Sequence, residues 1–135
     1  MTTRYVLDTN MVTALLRYEA KSIEHAARAA AANAEFLLCP VVFYEALRGL
    51  LHRDAHKQRQ RLLDYVATFI WDDFTRADWK KAAELWATLR GQRLQVSDAD
   101  LLIGVYAHQR QAIVVTANEK HFVPLGVQTG NWLVH

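Results

Sequence analysis

The segment Ala112-Ile113-Val114-Val115-Thr116 decides the fold class. It is β-branched and apolar without alternation, as a strand buried on both faces in a helix-covered parallel sheet should be. Working outward, Tyr5-Val6-Leu7 is a short β-rich run ending at Asp8, and Phe36-Leu37-Leu38-Cys39 is a second, stopped by Pro40. Phe69-Ile70-Trp71 is a third strand, and a short fifth is expected near Val127. Helical patterns separate these runs. Thr9 or Asn10 caps a helix to 18, and Ser22 caps an Ala-rich helix to 33, where alanine's low side-chain entropy cost favours helix. A helix over 41–53 carries Phe43, Leu47, Leu50 and Leu51 on one stripe, and another covers 55–68. Thr75 and Asp78 resemble a capping box opening a helix to 90, with Gly91 as its C-cap, and Ser97 opens a helix to 110. Strands alternating with helices argue for βαβ units with right-handed crossovers. The expected fold is α/β, a three-layer α/β/α sandwich around a central, mostly parallel sheet of four to five strands.

The chain has 135 residues, 52% hydrophobic and 22% charged, which predicts one globular domain over 1–135 rather than a disordered segment. No linker-like stretch or internal repeat divides it. Sixteen Lys plus Arg against fourteen Asp plus Glu leave +2, which neither demands nor opposes a nucleic-acid partner. Cys39 is the single cysteine and cannot form an internal disulfide, so a reducing cytoplasm is the expected compartment. No apolar stretch approaches the ~20 residues that span a bilayer. Met1-Thr2-Thr3-Arg4 passes at once into the strand pattern, so no secretory leader is expected.

Open parallel sheets bind ligands outside the carboxyl ends of their strands. That rule selects Asp8 at the end of the first strand, Glu45 in the helix after the second, Asp100 in the first turn of the helix opened by Ser97, and Asn118 just beyond the fourth strand. Helices antiparallel to the strands bring their N-termini to the same rim, so three acids and an amide carbonyl are expected to converge. Clustered carboxylates repel one another, and a hard divalent cation relieves that cost. Such an ion also supplies what phosphodiester hydrolysis needs, an acidified water and positive charge on the phosphate oxygens.

Four stretches carry a family resemblance. Tyr5-Val6-Leu7-Asp8-Thr9-Asn10, Phe43-Tyr44-Glu45-Ala46-Leu47-Arg48-Gly49, Ser97-Asp98-Ala99-Asp100-Leu101-Leu102-Ile103-Gly104 and Val114-Val115-Thr116-Ala117-Asn118-Glu119-Lys120-His121-Phe122 follow one another in order, closed by Gly130-Asn131-Trp132. The sequence resembles PIN-domain ribonucleases of the VapC type, toxins of toxin–antitoxin pairs. The resemblance implies that Asp8, Glu45 and Asp100 hold Mg²⁺, with Mn²⁺ as a substitute, and that Asn118 fills a fourth position where many relatives carry Asp. It also implies an RNA substrate, a cognate antitoxin and a homodimer. Thr9 corresponds to the hydroxyl beside the first acid. Asp98 ranks below Asp100 because i and i+2 do not share a helix face.

Each residue also has an ordinary structural reading. Asp100 suits a helix first turn through the macrodipole. Glu45 could be neutralised by Arg48 one turn on, and Asn118 is a good turn residue. His52 and His56 have i, i+4 spacing but lack the Glu of a zinc-protease motif, so no metal site is expected there. The basic run from Arg53 through Lys57 and Arg59 to Arg61 is a solvated face, or a contact for phosphates or for an acidic antitoxin segment. The four tryptophans are read as packing or dimer-interface residues, Asp72-Asp73 as a polar turn, His121-Phe122 as a short helix with Phe122 inward, and Cys39 as a small buried hydrophobe. Two other functions compete. A haloacid-dehalogenase-like phosphatase wants an Asp where Asn10 stands, and a receiver-like phospho-binding module would use Asp72 or Asp73 and leave Glu45 and Asp100 without a role. A third reading, an inert PIN-like binder of RNA or a partner, is left open by Asn118.

Overall fold

Pairing radiates from the middle of the sheet. In the computed structural model, which describes residues 2–134, β1 (Arg4–Leu7) lies between β2 (Glu35–Leu38) and β4 (Ile113–Val115). Val6 stands opposite Leu37 on one side and Val114 on the other. Both β1 Val6 and β4 Val114 and Val115 are completely buried, which explains the unbroken apolar runs. β3 (Ile70–Trp71) extends the sheet beyond β2, and β5 (Thr129–Gly130) beyond β4. The order is β3-β2-β1-β4-β5, with every pair parallel.

Helices fill the crossovers. α1 (Thr9–Leu16) and α2 (Ala20–Ala31) join β1 to β2, and α3 (Pro40–His52) and α4 (His56–Thr68) join β2 to β3. From there α5 (Arg76–Gly91) and α6 (Asp98–Gln109) lead back across the sheet to β4, and the 3₁₀ turns Glu119–His121 and Val123–Leu125 lead on to β5. Right-handed connections running in opposite directions along a sheet cover opposite faces, so the sheet becomes the middle of three layers. The change of direction falls between β1 and β4, and the crevice beyond their C-terminal ends is where such sheets take ligands. Met11, Ile103, Tyr106 and Phe122, each fully buried, pack the interior. α6 lies so close to the Val123–Leu125 turn that a Cβ on Gly104 would come within 2.5 Å of Leu125 Cδ1, so any larger residue there would displace the Leu125 side chain.

Several local expectations are corrected. Asp8 rather than Thr9 or Asn10 is the N-cap of α1, one residue past β1, and α1 stops at Leu16 because Tyr18 turns into the left-handed region (φ 57°). Ser22 does not cap α2. Glu19 does, its carboxylate accepting from the N–H of Lys21 and Ser22, while the buried Ser22 hydroxyl donates back to Glu19 O at 2.8 Å. The same helix ends at Ala31, with Asn33 left-handed (φ 61°). Gly91 is the last residue of α5 and not its C-cap. Gln92 takes that place, and Arg93 makes the left-handed turn. The fifth strand sits at Thr129–Gly130 instead of at Val127, and β4 is shorter than 112–116.

Other expectations match. The Thr75–Asp78 capping box is present, with both reciprocal bonds made. Cys39 is fully buried, and burial pushes its thiol up to about 12, far from reactive. Trp132 packs against Tyr5, whereas Trp71, Trp79 and Trp86 are exposed. No described helix is long and apolar enough to cross a membrane.

Candidate functional site

Asp8 sits where β1 gives way to α1, and its backbone N–H still follows the sheet by donating to Val115 O at 2.8 Å. Its carboxylate therefore points over the crevice from a fixed mount. Oδ1 accepts from Thr9 N at 2.8 Å, and Oδ2 accepts from the buried Thr116 hydroxyl at 2.9 Å and from Asn10 Nδ2 at 3.3 Å. Asn10 is itself pinned, its Oδ1 accepting from Ala117 N at 3.0 Å. A carboxylate has about four acceptor sites, so roughly one remains open on Asp8.

The other two acids arrive on helices. Glu45 on α3 accepts the Thr9 hydroxyl at 2.8 Å, which ties the second acid to the residue beside the first. Arg48 stands 3.7 Å from the other Glu45 oxygen and stacks over Tyr44, so the foreseen ion pair is loose and does not consume the carboxylate. Asp100 occupies the third position of α6, where its N–H donates to the capping Ser97 Oγ at 3.1 Å and its carboxylate faces His121 Nδ1 at 3.2 Å. Asp8, Glu45, Asp100 and Asn118 all line one cleft of about 780 Å³, with Thr9, Asn10, Arg17, Glu19 and His121 among its other walls. Asp98 is exposed and does not line it.

The electrostatics follow from this placement. Burial pushes Asp8 above its ordinary value, and the nearby charges of Asp100 and Glu45 push the same way, against the hydrogen bonds from Thr9 and Thr116. Like charges therefore act across the cleft. Among the described residues no three His, Cys, Asp or Glu side chains are drawn into a group that could hold a metal ion by themselves. The oxygen donors share a cleft without being closed into a cage.

Two participants escaped the sequence reading. Thr116 reads in the sequence only as the end of an apolar strand, although a hydroxyl in such a run is a cue for a buried hydrogen bond. His121 reads as part of a short helix. The turn is 3₁₀, in which i and i+3 eclipse, so Asn118 and His121 come to the same side. Elsewhere the basic run is partly absorbed by the fold, since Arg61 donates to Leu16 O at 2.8 Å and stacks on Tyr18. His56 contacts Asp54 and Arg59, and no metal group forms with His52 among the described residues. Asp72 is held by Arg110 at 2.7 Å and Asp73 caps Phe74 N, so neither resembles a free phosphoacceptor.

No curated protein matches the chain. Among solved structures it is similar to VapBC2 from Rickettsia felis bound to a promoter DNA fragment, with TM-score 0.84 and 24% identity over 96% of this chain and 99% of that one. VapBC-1 from nontypeable Haemophilus influenzae gives 0.83 at 19% identity, covering 96% and 98%. DNA-bound VapBC from Salmonella typhimurium gives 0.77 at 20%, covering 97% and 99%. At these identities the likeness is one of fold. The PIN domain family model matches residues 5–123, a span that holds all three cleft acids and Asn118. A parallel sheet that reverses direction beside Asp8, together with that match over most of the sequence, places this chain in the PIN domain family.

Proposed function

We propose that the chain is a divalent-metal-dependent endoribonuclease, the toxin of a toxin–antitoxin pair acting in the cytoplasm, in which Asp8, Glu45 and Asp100 hold Mg²⁺ or Mn²⁺ and Asn118 assists. The observation that carries this reading is the single cleft shared by three carboxylates from distant parts of the chain, with Asp8 raised by burial and pushed the same way by the charges of the other two. The residues fit such an ion. Their donors are hard oxygens, Asp8 keeps an open acceptor site, and Mg²⁺ usually needs only one or two carboxylates beside water and substrate phosphate. When bound, the ion supplies positive charge to the phosphate oxygens and acidity to the attacking water.

The protein's own groups supply position. Asp8 is held at both oxygens by Thr9, Asn10 and Thr116, so it meets the ion and substrate without reorganising. Thr9 orients Glu45 through one oxygen, and the other, only loosely met by Arg48 at 3.7 Å, remains available to order a water. Asn118, an exposed amide, brings a carbonyl oxygen but no charge, which weakens any second cation position. The similar structures are toxin–antitoxin assemblies by name, which supports a cognate antitoxin as partner, and the family resemblance adds a homodimer as the working form.

Cleavage of total RNA by the purified chain, with Mg²⁺ and with chelator, tests the reading. Cleavage is expected only with the ion and is lost in Asp8→Asn. Activity that survives either change would refute it.

A further inference from the structure

The cleft carries more negative charge than its three central acids. Glu19 also lines it, so an RNA backbone entering there meets four carboxylates. Among the described residues lining the cleft, Arg17 is the one Arg or Lys. It is exposed, and among the described residues it has no carboxylate within salt-bridge range. Its neighbour Glu19 is already spent, because both Glu19 oxygens accept α2 N–H groups at 3.3 and 2.9 Å.

The mount of Arg17 is fixed although its side chain is free. It is the C-cap of α1, its N–H donating to Thr13 O at 3.0 Å and Ala14 O at 3.2 Å. α1 therefore presents Asp8 at one end and Arg17 at the other. Its eight residues rise about 12 Å at the α-helical pitch. With the two mounts that far apart, the Arg17 guanidinium suits a phosphate next to the one under attack beside Asp8, on the same strand. Phosphate contacts of this kind set register and orientation while leaving sequence unread.

We propose that Arg17 is a substrate-binding residue that grips a backbone phosphate flanking the scissile one and so lays single-stranded RNA across the acid cleft. This rests on the ribonuclease reading. The test uses the full chain as Asp8→Asn, in chelator, binding a fluorescein-labelled single-stranded RNA followed by anisotropy over a range of salt. Adding Arg17→Gln is expected to weaken binding about tenfold and to flatten the log–log salt slope by about 0.7, the share of one phosphate contact. Arg17→Lys should restore most of both, and Arg4→Gln, at the end of β1 away from Asp8, should alter neither. In the active protein with Mg²⁺, Arg17→Gln is expected to raise KM about tenfold and to change kcat by less than about twofold. Unaltered affinity and slope in Arg17→Gln, with melting curves equal to the parent, would overturn the proposal alone. A parent that binds no RNA, beside a wild type that cleaves none, would overturn it together with the ribonuclease reading.

Discussion

Asp8 and Asp78 are both buried acids at helix N-termini, 6% and 2% exposed, yet the fold treats them in opposite ways. Asp78 is the third residue of α5. Burial alone would push its carboxyl up, but the Arg110 guanidinium and the Thr75 N–H outweigh that and hold it below its ordinary value. Arg110 meets Asp78 at 2.8 Å, Asp72 at 2.7 Å and the Asp73 carbonyl at 3.0 Å, and stacks over Tyr106, so it bolts the β3–α5 turn to the end of α6. Asp8 has no such cation. Its neighbours are Asp100 and Glu45, and its value is raised. One acid is neutralised within the fold. The other is left among like charges, facing a cleft, which is the arrangement the proposed cation site requires.

The largest effect is expected from removing the cation that Asp78 has. Arg110→Ala leaves a buried carboxylate unpaired, and breaking a buried pair of this kind costs about 3–5 kcal/mol. For a chain of this size that lowers Tm by on the order of 10–15 °C. Thermal melts check it, and a loss of only a degree or two would mean that Asp78 is no better held than Asp8. Activity per folded molecule should persist in that variant. The reverse is expected of Asp8→Asn, which should fold yet lose cleavage by at least about a hundredfold, near 2.7 kcal/mol of transition-state stabilisation. Single-turnover rates with labelled RNA measure this, and an undiminished rate would make Asp8 a second Asp78.

Much of this contrast can be read from residue order. The apolar run at 112–116 and the short runs ending at Asp8 and Cys39 mark a parallel sheet, and the strand-end rule then picks Asp8, Glu45, Asp100 and Asn118 with no coordinates at all. Thr75 and Asp78 spell out their capping box. What residue order hides is long-range pairing. Nothing near Asp78 announces Arg110, 32 positions away, and nothing near Asp8 announces Thr116, 108 positions away. Glu19 displaced Ser22 as the α2 cap because a longer carboxylate reaches two N–H groups while the serine hydroxyl is buried and turned back. Helix ends moved for a related reason. Tyr18 and Arg93 adopt left-handed backbone that their side chains do not favour, so those turns are dictated by what packs next, whereas Asn33 is a residue type that enters that region readily.

A smaller effect sharpens the comparison from the side of the ion. Only the folded chain gathers the cleft acids, so Mg²⁺ at ten times its Kd should stabilise it by about 1.4 kcal/mol through linkage. Melts at increasing Mg²⁺ are expected to shift upward by a few degrees in the wild type and in Arg110→Ala, and to stay put in Asp8→Asn. Equal shifts in all three would place the ion elsewhere.

The smallest effect is one of pH, with opposite signs at the two acids. Asp8 has a raised value, so the fold favours its neutral form. That contribution is complete below the unfolded carboxylate value and fades as pH rises through the raised one. Asp78 has a lowered value, so its contribution is present above the unfolded value and is lost as pH falls through the lowered one. In chelator, Asp8→Asn should therefore melt above wild type at neutral pH, because the amide escapes the cost of burying a charge, drops the repulsion from Asp100 and Glu45, and keeps the hydrogen bond from Thr9. The gain should vanish in acid, where the wild-type carboxyl is already protonated. Acid should in contrast shrink the deficit of Arg110→Ala, since a protonated Asp78 no longer needs its partner. Melting both variants beside wild type from neutral to acid pH reads the two trends together. If the differences ran parallel, the buried environments of Asp8 and Asp78 would be electrostatically alike, and the placing of Asp8 among uncompensated charges would have to be abandoned.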